Sequence, residues 1–162
     1  MKRIYSVWVE NRSGVLGKVA GLFSRRSYNI DSLTVGETQD KTISNMTIVS
    51  TGTPHTLEQI EKQLNKKLDV IKVRTFGEED AILREVILLK IKYSAKERKE
   101  LMEITEFLKA EIVDATNTHL IITLCDTPDR IEKLLSMLRK FNIVEISRTG
   151  TLAMPKCSEG DK

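Results

Sequence analysis

The sequence repeats one order of secondary structure twice, and this repeat constrains the fold more than any other feature. In residues 4–76, alternating apolar residues predict strands and helical spacing predicts helices, in the order strand, helix, strand, strand, helix, strand. Residues 86–152 follow the same order. The repeat predicts an α+β protein with two tandem ferredoxin-like βαββαβ domains, each a four-stranded antiparallel sheet with two helices on one face. Proteins of many functions share this architecture, so the function must come from particular residues.

Local signals place the individual elements. Predicted strands cover 4–10, 28–35, 42–50 and 70–76 in the first half, and 86–93, 111–115, 119–124 and 143–152 in the second. The first helix follows Gly14, and Thr53 is the expected N-cap of the second. Ser94 and Glu97 form a capping-box pattern before the third, and Thr127 precedes the fourth. The apolar faces of the second and third helices are predicted to consist of Leu57, Ile60, Leu64 and Leu68, and of Leu101, Ile104, Phe107 and Leu108.

The polar, acidic segment Gly77–Asp80 is the best candidate for a domain boundary. We therefore expect a first domain at 1–77, a linker at 78–84 and a second domain at 85–154. Residues 155–162 are polar and are predicted to form a flexible tail.

Charge and cysteine content indicate the environment of the protein. The formal net charge is +3, and the 26 basic residues are interleaved with 23 acidic ones, whereas a nucleic-acid-binding surface usually carries a basic stripe. The two cysteines, Cys125 and Cys157, form no metal-binding or redox spacing and are expected to be free thiols in a reducing compartment. No apolar run approaches the roughly 18 residues of a membrane span. A cytoplasmic protein that binds neither nucleic acid nor membrane is predicted.

The sequence contains no recognisable catalytic set. The two histidines, His55 and His119, fall in different halves and lack the partners that nucleophilic catalysis or a metal site requires. The glycine-rich segment at 14–18 lacks the spacing of a phosphate-binding loop. The central strands lack the aromatic residues with which RNA-recognition domains stack bases. We predict no catalytic residues, no metal ligands and no enzymatic activity for this chain by itself.

The turn at 11–17 is the one segment that suggests a ligand. It joins a strand to a helix, where free backbone N–H groups attract a carboxylate, and Gly14 leaves room for close approach. The same residues are also typical of an ordinary capped helix, with Asn11 or Ser13 as the cap and Gly14 shaping the turn.

Several segments together resemble one protein family. They are 7–36, 44–49, 57–66 and 69–73 in the first half, and 111–115 and 146–150 in the second. These segments resemble the small subunits of acetolactate synthase, whose first domain is an ACT domain. The chain departs from the family at Ser27, where glycine is usual, and at Ser13, where many members have proline. A serine at position 27 would be strained if the backbone there has a positive φ.

The resemblance implies a non-catalytic regulatory subunit that forms a homodimer through its ACT domains. Its partner would be a catalytic large subunit that holds thiamine diphosphate, Mg²⁺ and usually FAD, and condenses two pyruvates to 2-acetolactate and CO₂. The small subunit would activate this enzyme and confer allosteric feedback inhibition by a branched-chain amino acid, expected to be valine. No cofactor is expected on this chain. The alternative is a free-standing amino-acid-responsive ACT regulator, for example of transcription.

The resemblance also implies an effector site shared between two chains. Backbone N–H groups of Gly14, Val15 and Leu16 would hold the effector's carboxylate, and Asn11 its polar head. Asn29 and Ile30 of the neighbouring chain would close the site. The side chains of Val15, Leu16 and Ile30 are then expected to line an apolar pocket.

Overall fold

A computed structural model describes residues 1–157 and confirms two βαββαβ units. The first unit contains β1 (Lys2–Glu10), α1 (Val15–Arg25), β2 (Ser32–Glu37), β3 (Ile43–Thr51), α2 (Pro54–Asn65) and β4 (Val70–Phe76). After a 3₁₀ turn at Glu78–Asp80, the chain forms β5 (Ala81–Lys92), α3 (Arg98–Leu108), β6 (Glu111–Ala115), β7 (His119–Asp126), α4 (Pro128–Leu138) and β8 (Asn142–Arg148). A short strand, β9 (Leu152–Pro155), ends the described chain. Within this part, no helix has the length and apolar character needed to cross a bilayer.

The first sheet is antiparallel in the order β2-β3-β1-β4. Alternation along the central strand β1 directs Tyr5, Val7 and Val9 towards the helices, where they are at most 1% exposed. The core is completed by apolar residues of both helices, among them Leu22 and Leu57. The buried Tyr5 hydroxyl donates a 2.8 Å hydrogen bond to the carbonyl of Leu57, which ties β1 to α2. Thr53 caps α2 as predicted, since its side chain accepts the N–H of Thr56.

The second unit is built in the same way, with the order β6-β7-β5-β8. Its core contains Ile87, Leu89 and Ile91 of β5, packed against α3 and α4. Arg148 at the end of β8 binds both carboxylate oxygens of the buried Glu85, at 2.6 and 3.2 Å. A bidentate pair of this kind is strongly directional, so it fixes β8 against β5 at this end of the sheet.

The end of the chain departs from the sequence-based boundaries. The compact units comprise residues 1–82 with 151–157, and Leu83–Gly150. Residues 151–154, which the sequence places in the second domain, therefore pack with the first. The strand predicted over 143–152 is interrupted, because Gly150 has a φ of +81° and a new strand begins at Leu152. Pro155 ends β9, and residues 158–162 of the predicted tail lie outside the described residues.

Two apolar residues assigned to buried helix faces are in fact exposed. Leu68 is 98% exposed because α2 ends at Asn65 and Leu68 lies in the following turn. Phe107 is 63% exposed, and its ring is covered by the ammonium group of Lys133 at 5.3 Å. The third helix also begins at Arg98 rather than directly after Ser94, although the predicted bond from the Ser94 N–H to the Glu97 carboxylate forms at 2.7 Å.

The helix α1 ends in a Schellman motif that determines where the next strand begins. The Ser27 N–H donates to the Ser24 carbonyl, and the Tyr28 N–H donates to the Phe23 carbonyl, at 3.2 and 3.0 Å. The rings of Phe23 and Tyr28 pack edge to face with centroids 6.4 Å apart. Tyr28 thus completes the helix cap, and β2 begins at Ser32 instead of at residue 28 as predicted.

Ser27 occupies the left-handed position of this motif, with a φ of +54°. We expect Ser27→Gly to raise the free energy of unfolding by about 0.5 kcal/mol, because relief of the left-handed strain outweighs the greater flexibility of glycine in the unfolded chain. The control Ser24→Gly, inside α1, should lower it by about 0.5 kcal/mol. Urea denaturation measures both values. Equal destabilisation by the two substitutions would contradict the left-handed assignment.

Candidate functional site

The turn between β1 and α1 is held by backbone hydrogen bonds and by one glycine. The Asn11 N–H donates to the Thr42 carbonyl at 2.7 Å, and the Arg12 N–H donates to the Glu10 carbonyl at 3.0 Å. Gly14 then adopts a φ of +85° as the N-cap residue of α1. A Cβ atom at this position would meet no heavy atom within 4 Å, so glycine is favoured by the backbone conformation alone and the space in front of it is open.

The start of α1 carries neither of the two features that usually satisfy a helix N-terminus. No side chain caps it, so the alternative in which Asn11 or Ser13 caps the helix is wrong. Its first turn also contains no acidic residue. Among the four helices in residues 1–157, α2 has a side-chain cap, and α3 and α4 have Glu100 and Asp129 in their first turns. The exposed N–H groups of α1 are thus available to an external anion.

Asn11 is fixed beside this helix start by its own side chain. Its Nδ2 group donates to Oε1 of Glu37 at 3.1 Å and to the Lys41 carbonyl at 2.8 Å. An amide nitrogen has two hydrogens, so both are in use and the Oδ1 atom is the remaining polar group. Within the described residues, Glu37 forms no salt bridge. Asn11 Oδ1 and the Glu37 carboxylate together present acceptors suited to a cationic group.

An ion-pair network beneath the turn fixes its position, and the sequence did not reveal it. The Asp69 side chain is 8% exposed and binds both the Arg12 guanidinium and the Lys18 ammonium, the latter at 2.8 Å. Lys18, and after it Arg12, hold the pKa of Asp69 below its usual value, and Asp69 raises the pKa of Arg12. Arg12 lies in the turn, Lys18 in α1 and Asp69 immediately before β4. These opposite charges lie 51 and 57 positions apart, so spacing alone could not pair them.

The structure divides the other predicted site residues into two groups. The Val15 side chain is 2% exposed and belongs to the core, and its N–H donates to the Arg12 carbonyl at 3.4 Å. The Val15 N–H is therefore not free to hold a carboxylate as expected, whereas Leu16 is 45% exposed. Asn29 is exposed at the other end of α1, where its Nδ2 donates to Asp31, and Ile30 packs partly against the core. The 11 residues of α1 span about 16 Å. Gly14 and Asn29 of one chain are therefore too far apart to contact the same amino acid.

No catalytic constellation accompanies this turn. His55 lies in α2, while His119 lies at the start of β7, where its Nδ1 bonds the Thr118 hydroxyl. No cluster of three or more potential metal ligands occurs among residues 1–157. An open depression of about 730 Å³ lies in the second unit between α4 and β8, and it includes none of the predicted site residues. Both cysteines are free and exposed.

The ion pairs of Asp69 give a testable pH dependence. Because the pKa of Asp69 is lower in the folded state than in the unfolded chain, these pairs stabilise the fold above about pH 4 and lose their effect as the pH falls through the folded-state pKa. We expect wild type to exceed Asp69→Asn in free energy of unfolding at pH 7, and the difference to shrink below about pH 4. Urea denaturation between pH 7 and pH 3 measures it. The control Asp114→Asn alters an exposed carboxylate and should cost less at pH 7; equal costs would contradict this role of Asp69.

Comparison with known proteins identifies the family. Residues 5–72 match the family model described as an AHAS small subunit-like ACT domain, and residues 84–157 match that of the small subunit of acetolactate synthase. The chain is 45% identical to the acetolactate synthase isozyme 3 small subunit of Salmonella typhimurium over 100% of its length and 98% of the relative's. It is 41% identical to a probable acetolactate synthase small subunit of Archaeoglobus fulgidus, covering 95% and 96% of the two chains.

The crystal structure of the small subunit from Thermotoga maritima superposes with a TM-score of 0.90 at 33% identity, covering 98% of this chain and 99% of that one. The resemblance found in the sequence is thereby confirmed: the chain belongs to the family of acetolactate synthase small subunits.

Proposed function

We propose that this chain binds a branched-chain amino acid, expected to be valine, and so inhibits a catalytic large subunit that it otherwise activates. The large subunit would carry thiamine diphosphate, Mg²⁺ and usually FAD, and would form 2-acetolactate from two pyruvates. The observation that carries the proposal is the start of α1, where uncapped N–H groups lie beside the fixed acceptors of Asn11 and Glu37. This pairing of donors and acceptors matches the carboxylate and ammonium of an amino acid.

The carboxylate of the effector would bind the N–H groups at the N-terminus of α1. The Lys18 N–H, bonded to the Gly14 carbonyl at 3.0 Å, is the first of the regular helical series. The N–H groups of Gly14, Leu16 and Gly17 precede it and point out of the helix end. An anion placed there gains both hydrogen bonds and the favourable end of the helix dipole.

The ammonium group would bind Asn11 Oδ1 and the Glu37 carboxylate. This part of the site would discriminate between amino acids and the 2-oxo acids that are substrates of the proposed large subunit. Both classes carry a carboxylate and a similar side chain, but a 2-oxo acid presents a carbonyl oxygen where the amino acid presents N–H donors. Two acceptors facing a carbonyl oxygen would be left without a donor, which disfavours binding of the 2-oxo acid.

A second copy of the chain is needed to complete the site. Asn29 and Ile30 lie at the far end of α1 in their own chain, so they would reach Gly14 of a neighbour. The strand that follows them, β2, is an edge of the first sheet, and an edge strand offers free backbone groups to a partner. Two copies paired at β2 would form one continuous sheet. The exposed side chain of Leu16 and the half-buried Ile30 of the partner would then enclose the effector's side chain.

Reversible feedback requires only moderate affinity. A dissociation constant between roughly 10 μM and 1 mM corresponds to about −7 to −4 kcal/mol. Effector binding would be coupled to the large subunit by about 1–3 kcal/mol. To inhibit at all, the effector must favour one arrangement of the ACT pair over another.

Substitution of Gly14 tests the carboxylate position. Gly14→Asp and Gly14→Asn share the same shape, and both residue types tolerate the positive φ better than others do. We expect Gly14→Asp to bind valine roughly tenfold to a thousandfold more weakly than Gly14→Asn, because like charges about 4 Å apart repel by about 1–4 kcal/mol. Calorimetric titration measures both affinities, and the reconstituted enzyme reports feedback. Equal affinities would place the carboxylate elsewhere.

A heterodimer tests whether the site is shared between chains. Gly14→Asp and Asn29→Ala should each weaken both sites of their own homodimer, the second by about 0.5–1.5 kcal/mol for each lost hydrogen bond. In a mixed dimer, one site receives both substitutions and the other receives native Gly14 and native Asn29. A tandem-affinity-purified heterodimer should therefore bind valine with wild-type affinity at one site. If no such site appears, Gly14 and Asn29 do not meet across a dimer interface.

A further inference from the structure

The two central strands of the first sheet, β1 and β3, are buried on both faces, although the two helices cover only one. On the face opposite the helices, Ile4 and Ser6 of β1 and Thr47 and Val49 of β3 are at most 1% exposed. The strand register pairs Ile4 with Val49 and Ser6 with Thr47, so these four residues form one continuous patch. Something other than α1 and α2 must therefore exclude water from it.

The segment that begins at Thr151 lies on this patch. Thr151 and Ala153 are 6% and 5% exposed, and β9 lies against β1. The Thr151 N–H donates to the Ser32 Oγ at 3.2 Å, and the Thr34 hydroxyl donates to the Thr151 carbonyl at 3.3 Å. Beyond β9, the Lys156 N–H donates to the Asp80 carbonyl at 3.1 Å, and the Lys156 ammonium donates to the Glu79 carbonyl at 2.6 Å. We call residues 151–156 the C-terminal strap.

The strap is bonded to the strand that begins at the proposed effector site. Ser32 follows Ile30 by two residues and is the first residue of β2. The preceding segment is itself fixed to β3, because the Ser50 hydroxyl donates to the Asn29 carbonyl at 2.7 Å and the Asp31 N–H donates to the Val49 carbonyl at 2.8 Å. Because only Asp31 separates Ile30 from Ser32, a displacement of Asn29 and Ile30 that strains these bonds would reach Ser32 and the Thr151 backbone that it binds.

One buried hydroxyl on this face lacks a partner in the described structure. Thr47 Oγ1 is fully enclosed and forms no hydrogen bond there, although Thr47 lies opposite Thr34 in the sheet register. Buried polar groups are normally paired. Thr47 Oγ1 is therefore an unpaired hydrogen-bonding group in the described structure, opposite Thr34, whose hydroxyl binds the strap.

We propose that the C-terminal strap transmits effector occupancy from β2 to Gly150, where the chain leaves the second unit. This inference rests on the proposed function, because it assumes an amino acid bound at Asn29 and Ile30. The hydroxyls of Ser32 and Thr34 couple β2 to the strap without belonging to the effector site. Removing these two hydroxyls should leave effector binding intact but weaken inhibition of the large subunit.

The first test is the double variant Ser32→Ala with Thr34→Val in the full chain. Valine affinity of the isolated small subunit should stay within about twofold of wild type, while inhibition of the reconstituted enzyme at saturating valine should fall to less than about half. Thr38→Val is the matched control, because its hydroxyl bonds only within the turn after β2 and does not touch the strap. It should retain full inhibition.

A cross-link provides the converse test in a single protein. Ser32→Cys and Thr151→Cys are combined with Thr34→Val, and the exposed Cys125 and Cys157 are replaced by serine. The reduced protein lacks both hydroxyls and should show weak inhibition. The oxidised protein joins β2 to the strap covalently and should recover inhibition, with unchanged valine affinity in both states.

The possible outcomes separate the two proposals. If wild type binds no branched-chain amino acid, the proposed function fails. If the double variant binds valine and is inhibited as wild type is, or if the oxidised and reduced cross-link proteins are inhibited equally, the strap is purely structural. If the double variant loses valine binding, its hydroxyls belong to the effector site and the strap proposal is wrong.

Discussion

The central strand β1 is buried on both faces, and the arrangement of the first unit follows from this constraint. Tyr5, Val7 and Val9 require a helical layer on one side, whereas Ile4 and Ser6 require cover on the other. A βαββαβ unit supplies helices to only one face of its sheet. The second cover comes from residues 151–155, more than 140 positions after Ile4 in sequence. The first unit is therefore complete only when residues 151–155 have returned to it.

The candidate site lies where this same strand, β1, ends. At the end of β1 the chain must turn into α1, and Gly14 allows this turn while leaving the helix start uncapped. An uncapped turn on a protein surface is mobile unless other contacts fix it. Asp69 provides these contacts through Arg12 and Lys18, from a position where its carboxylate is almost completely excluded from water. The backbone groups proposed to bind an effector are thus prearranged, which reduces the conformational entropy that binding would cost.

Sequence periodicity predicted the parts of the fold that local interactions determine. The order of elements, the Thr53 cap and β4 at Val70–Phe76 are all correct. The errors concern residues whose burial depends on distant segments: Leu68 and Phe107 fit a helical stripe but remain 98% and 63% exposed. The same distinction between local and long-range interactions applies to the candidate site. Gly14 was recognised from its own turn, whereas Asp69 and the strap depend on contacts between residues that are far apart in sequence, which spacing does not encode.

Selection of one branched-chain amino acid would depend more on steric exclusion of larger side chains than on favourable contacts with the preferred one. Valine, leucine and isoleucine present identical carboxylate and ammonium groups, so the α1 N–H groups, Asn11 and Glu37 cannot tell them apart. One additional methylene contributes only about 0.8 kcal/mol of burial, a preference of roughly fourfold, and it favours the larger side chain. A preference for valine therefore requires that a larger side chain be rejected by steric contact. Leu16, exposed on the first turn of α1 beside the proposed carboxylate position, is the residue placed to supply that contact.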